Sequence, residues 1–104
     1  VTDCGEVVNL SGAENQVKGA IIDGIGHAMF AKLRFNEGVA SPSNFNSYRL
    51  IRGNEIPTID VHFVDNGIAP TGLGEPALPP TGGSVANAIY AASKKRLYRQ
   101  PFDI

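Results

Sequence analysis

Apolar side chains at Val17, Ala20, Ile21, Ile25, Ala28 and Met29 recur at steps of three and four residues, which places them along one face of a helix between Gly12 and Lys32. That face is predicted to be buried. Gly19, Gly24 and Gly26 interrupt the same stretch, and each costs up to ~1 kcal/mol of helix propensity relative to alanine. Two reasons for them stand side by side: close approach of a ligand or another backbone, and plain helix packing. Beyond the helix the period drops to two. Leu33 and Phe35 alternate with Lys32, Arg34 and Asn36, and Asn36-Glu37-Gly38 supplies turn chemistry before Val39, so a short hairpin with a charged outer face is predicted. After Pro57, Ile59, Val61 and Phe63 alternate with Asp60, His62 and Val64, the pattern of a half-buried strand that leaves His62 on the surface.

A second helix is predicted from Val85, Ala88, Ile89 and Ala92 on one side and Asn87, Ala91, Lys94 and Lys95 towards the other. Thr81-Gly82-Gly83-Ser84 precedes it. Ser or Thr suits an N-cap and the lysines suit the C-terminal dipole. The glycine pair either leaves first-turn amides open to an anion or merely shapes the junction. The pattern as a whole reads as α+β: a small, mainly antiparallel sheet with two helices.

Between Asp65 and Pro80 there is no periodicity, only prolines at 70, 76, 79 and 80 and glycines at 67, 72 and 74. Connections of this length in small domains are functional or disordered, and the low charge argues for the first. Within it Gly72-Leu73-Gly74-Glu75-Pro76 holds one carboxylate between glycines and a proline. The glycines permit φ > 0 or close backbone approach, and Pro76 confines Glu75 to extended geometry. Glu75 is then either a solvated loop acid or a fixed proton acceptor; scarcity of nearby charge supplies the low dielectric that raises a carboxylate into the range of a base.

Composition narrows the classes. The 104 residues, 42% hydrophobic, suffice for a single domain over residues 1–104 that buries roughly two-thirds of its unfolded surface. A net charge of -1 and a pI near 6.1 provide no field for nucleic acid, and Lys94, Lys95, Arg96 and Arg99 form the one cationic cluster visible along the chain. Cys4, the single cysteine, allows no internal disulfide and reads as a small buried side chain. His27 and His62 lie too far apart for zinc spacing, so no metal ligand is assigned. No apolar run reaches the ~20 residues of a spanning helix. Gly24-Ile25-Gly26 falls inside a helical pattern with no strand before it, and is not a dinucleotide fingerprint. Asp23 and His27 stand one turn apart and read as a simple i,i+4 contact. The opening Val1-Thr2-Asp3-Cys4-Gly5 has no initiator Met and runs at once into a valine-rich segment, as an excerpt of a larger architecture would; tag removal or proteolysis gives the same beginning.

Asp3-Cys4-Gly5 with Val8-Asn9, Gln16-Val17-Lys18-Gly19-Ala20 running into Gly24-Ile25-Gly26, Gly74-Glu75-Pro76, Ala86-Asn87-Ala88-Ile89-Tyr90-Ala91-Ala92, and the closing Lys95-Arg96-Leu97 and Pro101-Phe102 resemble one family in order and spacing, the molybdenum hydroxylases of the xanthine oxidase family. More narrowly, they resemble the C-terminal portion of the large, molybdopterin-binding subunit of the isoquinoline 1-oxidoreductase and aldehyde dehydrogenase type. The resemblance spans nearly the whole chain. Ser93-Lys94 stands where relatives often carry Thr-Gly, and Lys18 replaces a residue that is often acidic or histidine there.

The resemblance implies a set of roles. Glu75 matches the general base that takes a proton from a molybdenum-bound hydroxyl, which attacks an electron-poor carbon while hydride passes to a sulfido ligand. Gln16 matches a glutamine that lies against the pterin, and Gly74 belongs to the same cofactor-binding surface. The implied cofactor is molybdopterin with molybdenum, held by the full-length enzyme and not by this chain alone. The implied partners are the remainder of the large subunit and an iron–sulfur subunit. The activity is hydroxylation of N-heteroaromatics or oxidation of aldehydes with water-derived oxygen, and the chain by itself is expected to be inactive. The other class is a non-catalytic truncated module acting in self-association or partner binding, for which a homodimer is expected because exposed apolar patches favour association. The location, cytoplasm or periplasm, is open.

Overall fold

The computed structural model describes residues Val1–Ile104. Its first helix, α1 (Leu10–Met29), begins where the Asn9 side-chain oxygen accepts a hydrogen bond from the Gly12 backbone N–H at 2.9 Å. Such a cap contributes about 1 kcal/mol. The helix ends where Phe30 and Ala31 both donate to the Gly26 carbonyl. Ala13, Val17, Gly24, Gly26 and Ala28 are its buried residues; of the six apolar side chains on the predicted face, Val17 and Ala28 are buried and Ala20, Ile21, Ile25 and Met29 are half-buried.

The second helix, α2 (Leu78–Ser93), starts earlier than its apolar period suggests. Pro79 and Pro80 sit in the first turn, where their missing N–H groups would have had no intrahelical partner anyway. Thr81-Gly82-Gly83-Ser84 is therefore inside the helix, and the expectation of an anion-accepting helix end at this tetrapeptide is corrected. Instead of capping, the Thr81 and Ser84 hydroxyls donate back to the Ala77 and Pro80 carbonyls at 2.7 and 3.1 Å. At the other end Lys94 takes a left-handed conformation, φ 61°, and its backbone N–H donates to the Tyr90 carbonyl.

The two helices cross at Gly24. A Cβ on that residue would lie 2.7 Å from the Thr81 Cβ, so closeness of the helices excludes any side chain there. At Gly26 a Cβ would meet the Ile51 side chain at 3.5 Å, an ordinary contact, so among Gly19, Gly24 and Gly26 close packing accounts for Gly24 alone. Ala28, Ile89 and Phe102 form the buried core, with Met29, Val85, Ala86 and Leu97 around it, and the Phe102 N–H donates to the Ala28 carbonyl at 2.7 Å to pin the C-terminal segment over the helix pair.

Strands β1 (Arg34–Asn36) and β2 (Val39–Ser41) form the predicted antiparallel hairpin, with Arg34 opposite Ser41. Glu37 at φ 49° and Gly38 at φ 81° give the turn the positive dihedrals that match strand twist. The segment from Ile59 to Val64 alternates half-buried and exposed as predicted, with His62 exposed. It is not, however, a strand. A single parallel bridge joins Phe63 to Thr2, flanked by the Thr2 N–H to His62 carbonyl and Val64 N–H to Thr2 carbonyl bonds. The turn at Gly5, φ 70°, takes the partner away before a ladder can form. The small α+β architecture stands, with a sheet of two strands.

Only 10 of 104 residues are buried. The accessible surface is 7548 Å², against roughly 5,600 Å² for a compact chain of this mass. The radius of gyration is 16.4 Å, against roughly 13 Å. Folding therefore hides about half of the unfolded surface and not the expected two-thirds. Phe35, Val39 and Phe45 are among the large apolar side chains left in solvent.

Candidate functional site

Two stretches distant in sequence meet beside α1. Residues 66–71 are tied to the first six residues: Glu6 N–H donates to the Ile68 carbonyl at 3.0 Å, Thr71 N–H to the Cys4 carbonyl at 2.8 Å, and the Asn66 amide to the Asp3 carboxylate at 2.7 Å. Cys4 is buried in this junction, as its sequence context suggests. Gly5 is buried as well, and a Cβ on it would overlap the Ala69 carbonyl and come within 2.9 Å of the Ile68 carbonyl oxygen. The Asp3-Cys4-Gly5 motif is thus the clamp that sets where the following loop emerges.

That loop delivers Gly74 and Glu75 to the start of α2, where the Leu78 N–H donates to the Glu75 carbonyl at 2.9 Å. Across from them, Gln16, Gly19, Ala20 and Asp23 project from one face of α1. Together with Asn15 and Leu78 these groups line a cleft of about 260 Å³. Gln16, Gly74 and Glu75, singled out separately in the sequence, share this one cleft. Glu75 is exposed, and so is Gln16.

Neither Gly72 nor Gly74 adopts a positive φ. Of the two reasons offered for them, positive φ and close backbone approach, the structure shows neither. A Cβ on either would meet no atom within 4 Å, and the same holds for Gly19 across the cleft. At Gly19 and Gly74 the missing side chain keeps space open in the cleft.

Asp23 is a lining residue that sequence reading assigned only to a helical contact. It does make that contact, with His27 Nε2 3.6 Å from its carboxylate. The spacing of Gln16, Gly19 and Asp23, three and four residues apart, is the signal that places it on the same face. Among groups of His, Cys, Asp and Glu, none is arranged to hold a metal ion.

Residues 1–57 match the family model of the molybdopterin cofactor-binding domain. The match includes Gln16 and stops short of Gly74 and Glu75. Among similar proteins, the membrane-bound aldehyde dehydrogenase [pyrroloquinoline-quinone] of Gluconacetobacter polyoxogenes is 33% identical over 101 residues, covering 97% of this chain and 13% of its own length. The isoquinoline 1-oxidoreductase subunit beta of Brevundimonas diminuta is 29% identical over 99 residues, covering 95% and 13% respectively. The solved structure of quinoline 2-oxidoreductase from Pseudomonas putida 86 superposes with a TM-score of 0.81 at 21% identity, over 95% of this chain and 14% of that one. This chain therefore spans about one-eighth of the length of the relatives it matches.

Proposed function

Because this chain belongs to the family of molybdopterin cofactor-binding domains, we propose that it supplies the general base and one wall of the cofactor site in a larger molybdenum-dependent oxidoreductase. The observation that carries the reading is the convergence of Gln16, Gly74 and Glu75 on one cleft. The substrates are N-heteroaromatics or aldehydes, the classes that the names of two relatives carry. Oxygen comes from water, and the remainder of the large subunit and an iron–sulfur subunit complete the enzyme. The chain alone is inactive on this reading, since it presents only part of the site.

The residues present fit the cofactor. Open space at Gly19 and Gly74 admits a planar ring system against the backbone. The Gln16 amide would hold the cofactor through its capacity both to donate to an oxo or phosphate group and to accept from a pterin N–H. When bound, the cofactor supplies the two-electron acceptor. The part played by this chain is proton transfer: a Glu75 carboxylate oxygen takes the proton from the attacking water-derived hydroxyl. Glu75 is solvent-exposed here, so the burial that makes a carboxylate basic is contributed by the polypeptide that closes over the cleft in the complete enzyme. Pyrroloquinoline quinone, in the name of one relative, is not adopted, because the family model matched is one for molybdopterin.

Gln16→Ala in the complete enzyme is expected to lower pterin content about tenfold on desalting, the scale of one or two lost hydrogen bonds. Pterin released by acid and quantified by fluorescence reads this directly. Full retention would remove Gln16 from the site.

The second reading, a non-catalytic module that associates with itself, is favoured by an accessible surface of 7548 Å², about 1,900 Å² above that of a compact chain of this mass, and by exposed Phe35, Val39 and Phe45. On that reading the isolated chain is a homodimer. Light scattering across micromolar concentrations is expected to give twice the mass of 11.0 kDa, and a monodisperse monomer would end it.

A further inference from the structure

We propose that the cleft between the hairpin and residues 41–49 binds a phosphate-type oxyanion, independently of the Glu75 site. The cleft has a volume of about 420 Å³, and Lys32, Arg34, Ser41, Ser43 and Arg49 line it around the Phe30 ring. Three of the nine basic side chains of a chain with net charge -1 converge there, and no carboxylate lines it. This cluster is invisible along the sequence, where Arg49 stands far from Lys32.

The hairpin register sets the geometry. Arg34 lies directly opposite Ser41, and Lys32, two residues earlier, lines the same cleft. Arg49 completes the wall from the other segment. Its guanidinium stacks 4.0 Å from the Phe30 centroid and its Nη2 donates to Glu55 at 2.5 Å. Glu55 also accepts from the Arg52 backbone N–H, and its carboxyl is held below the ordinary range, first by the Arg49 hydrogen bond and then by that of Arg52.

Arg49 is thus fixed and largely neutralised. Lys32 and Arg34 are not, since the ion pairs of the chain engage other groups. The charge left to a ligand is therefore close to +2, matched by a phosphate dianion and only half satisfied by a single carboxylate. A forked guanidinium, an ammonium and two serine hydroxyls are the donors that a tetrahedral oxyanion takes up. Edge charges on a lone hairpin also discourage strand-to-strand association. That role asks for no serine hydroxyls beside the two free cations.

Titration of the full chain, uniformly labelled with ¹⁵N, with inorganic phosphate tests this at ionic strength held near ~0.1 M, where the screening length is about 10 Å. Saturable shifts are expected at the amides of Lys32, Arg34, Ser41 and Ser43. Lys32→Ala/Arg34→Ala should weaken the affinity about tenfold or more, while Lys94→Ala/Lys95→Ala leaves it unchanged. If the double variant loses its hairpin cross-strand contacts, Ser41→Ala decides, with a fall of about threefold expected from one lost donor. Shifts that rise linearly with phosphate, or that are equal at both cationic clusters, would reduce the effect to screening and overturn the proposal. Tighter binding of a hexaglutamate peptide than of phosphate would overturn it in favour of a face for acidic protein segments.

Discussion

Glu75→Gln in the complete enzyme is expected to lower kcat by about 10²–10⁴-fold, the contribution typical of a positioned general base. Glutamine keeps the shape and hydrogen-bonding reach of glutamate but has no carboxylate to take a proton. Molybdenum and pterin content should stay at the wild-type level, because the cleft wall is unchanged, and KM should move little. This combination separates base catalysis from cofactor retention, which the Gln16→Ala variant tests. Turnover of the variant within a factor of a few of wild type, at equal metal content, would end the assignment of Glu75.

Gly5→Ala has the largest effect expected on stability, about 2–5 kcal/mol. Two costs add. The residue sits at φ 70°, which L side chains adopt only with strain, and its Cβ would overlap backbone carbonyls of residues 68 and 69. Backbone cannot rotate aside as a flexible side chain can. Gly67 provides the contrast, since it has a similar φ of 67° with open space around it, so Gly67→Ala should cost only about 1 kcal/mol. Denaturant midpoints of the two variants check the difference. Limited proteolysis should also cut Gly5→Ala faster between residues 66 and 76, the stretch that the Cys4–Thr71 and Glu6–Ile68 bonds secure. Equal costs at the two glycines would mean that the junction yields, and that it does not fix the Glu75 loop.

Several features of the site were legible because they depend on local chemistry. Periodicity located α1 and put Gln16 on it, and Asn36-Glu37-Gly38 dictated the hairpin turn. The Gly74-Glu75-Pro76 loop stood out through its glycines and prolines, although Gly72 and Gly74 serve neither a positive φ nor a close backbone approach and instead leave open space. Other features were overlooked or misled. The Asn9 side chain caps α1, a role that an asparagine directly before a helical period signals and that the sequence reading left unassigned. Alternation at Ile59, Val61 and Phe63 signalled a face to bury, but alternation says nothing about whether an edge is available to pair with. The start of α2 was displaced because prolines read as helix breakers in general and as helix starters only in the first turn.

From the sequence alone came the helical and hairpin periods, the family resemblance and the candidate carboxylate, all of which reside in neighbouring residues and their intrinsic preferences. Tertiary structure alone decided that Gly24 is a helix crossing while Gly19 is an opening, that Gln16 and Glu75 face the same cleft, and that Arg49 joins Lys32 and Arg34. The physical reason is that each of these depends on distances between segments remote in the chain, which are set by the Gly5 junction and the Ala28–Ile89–Phe102 core.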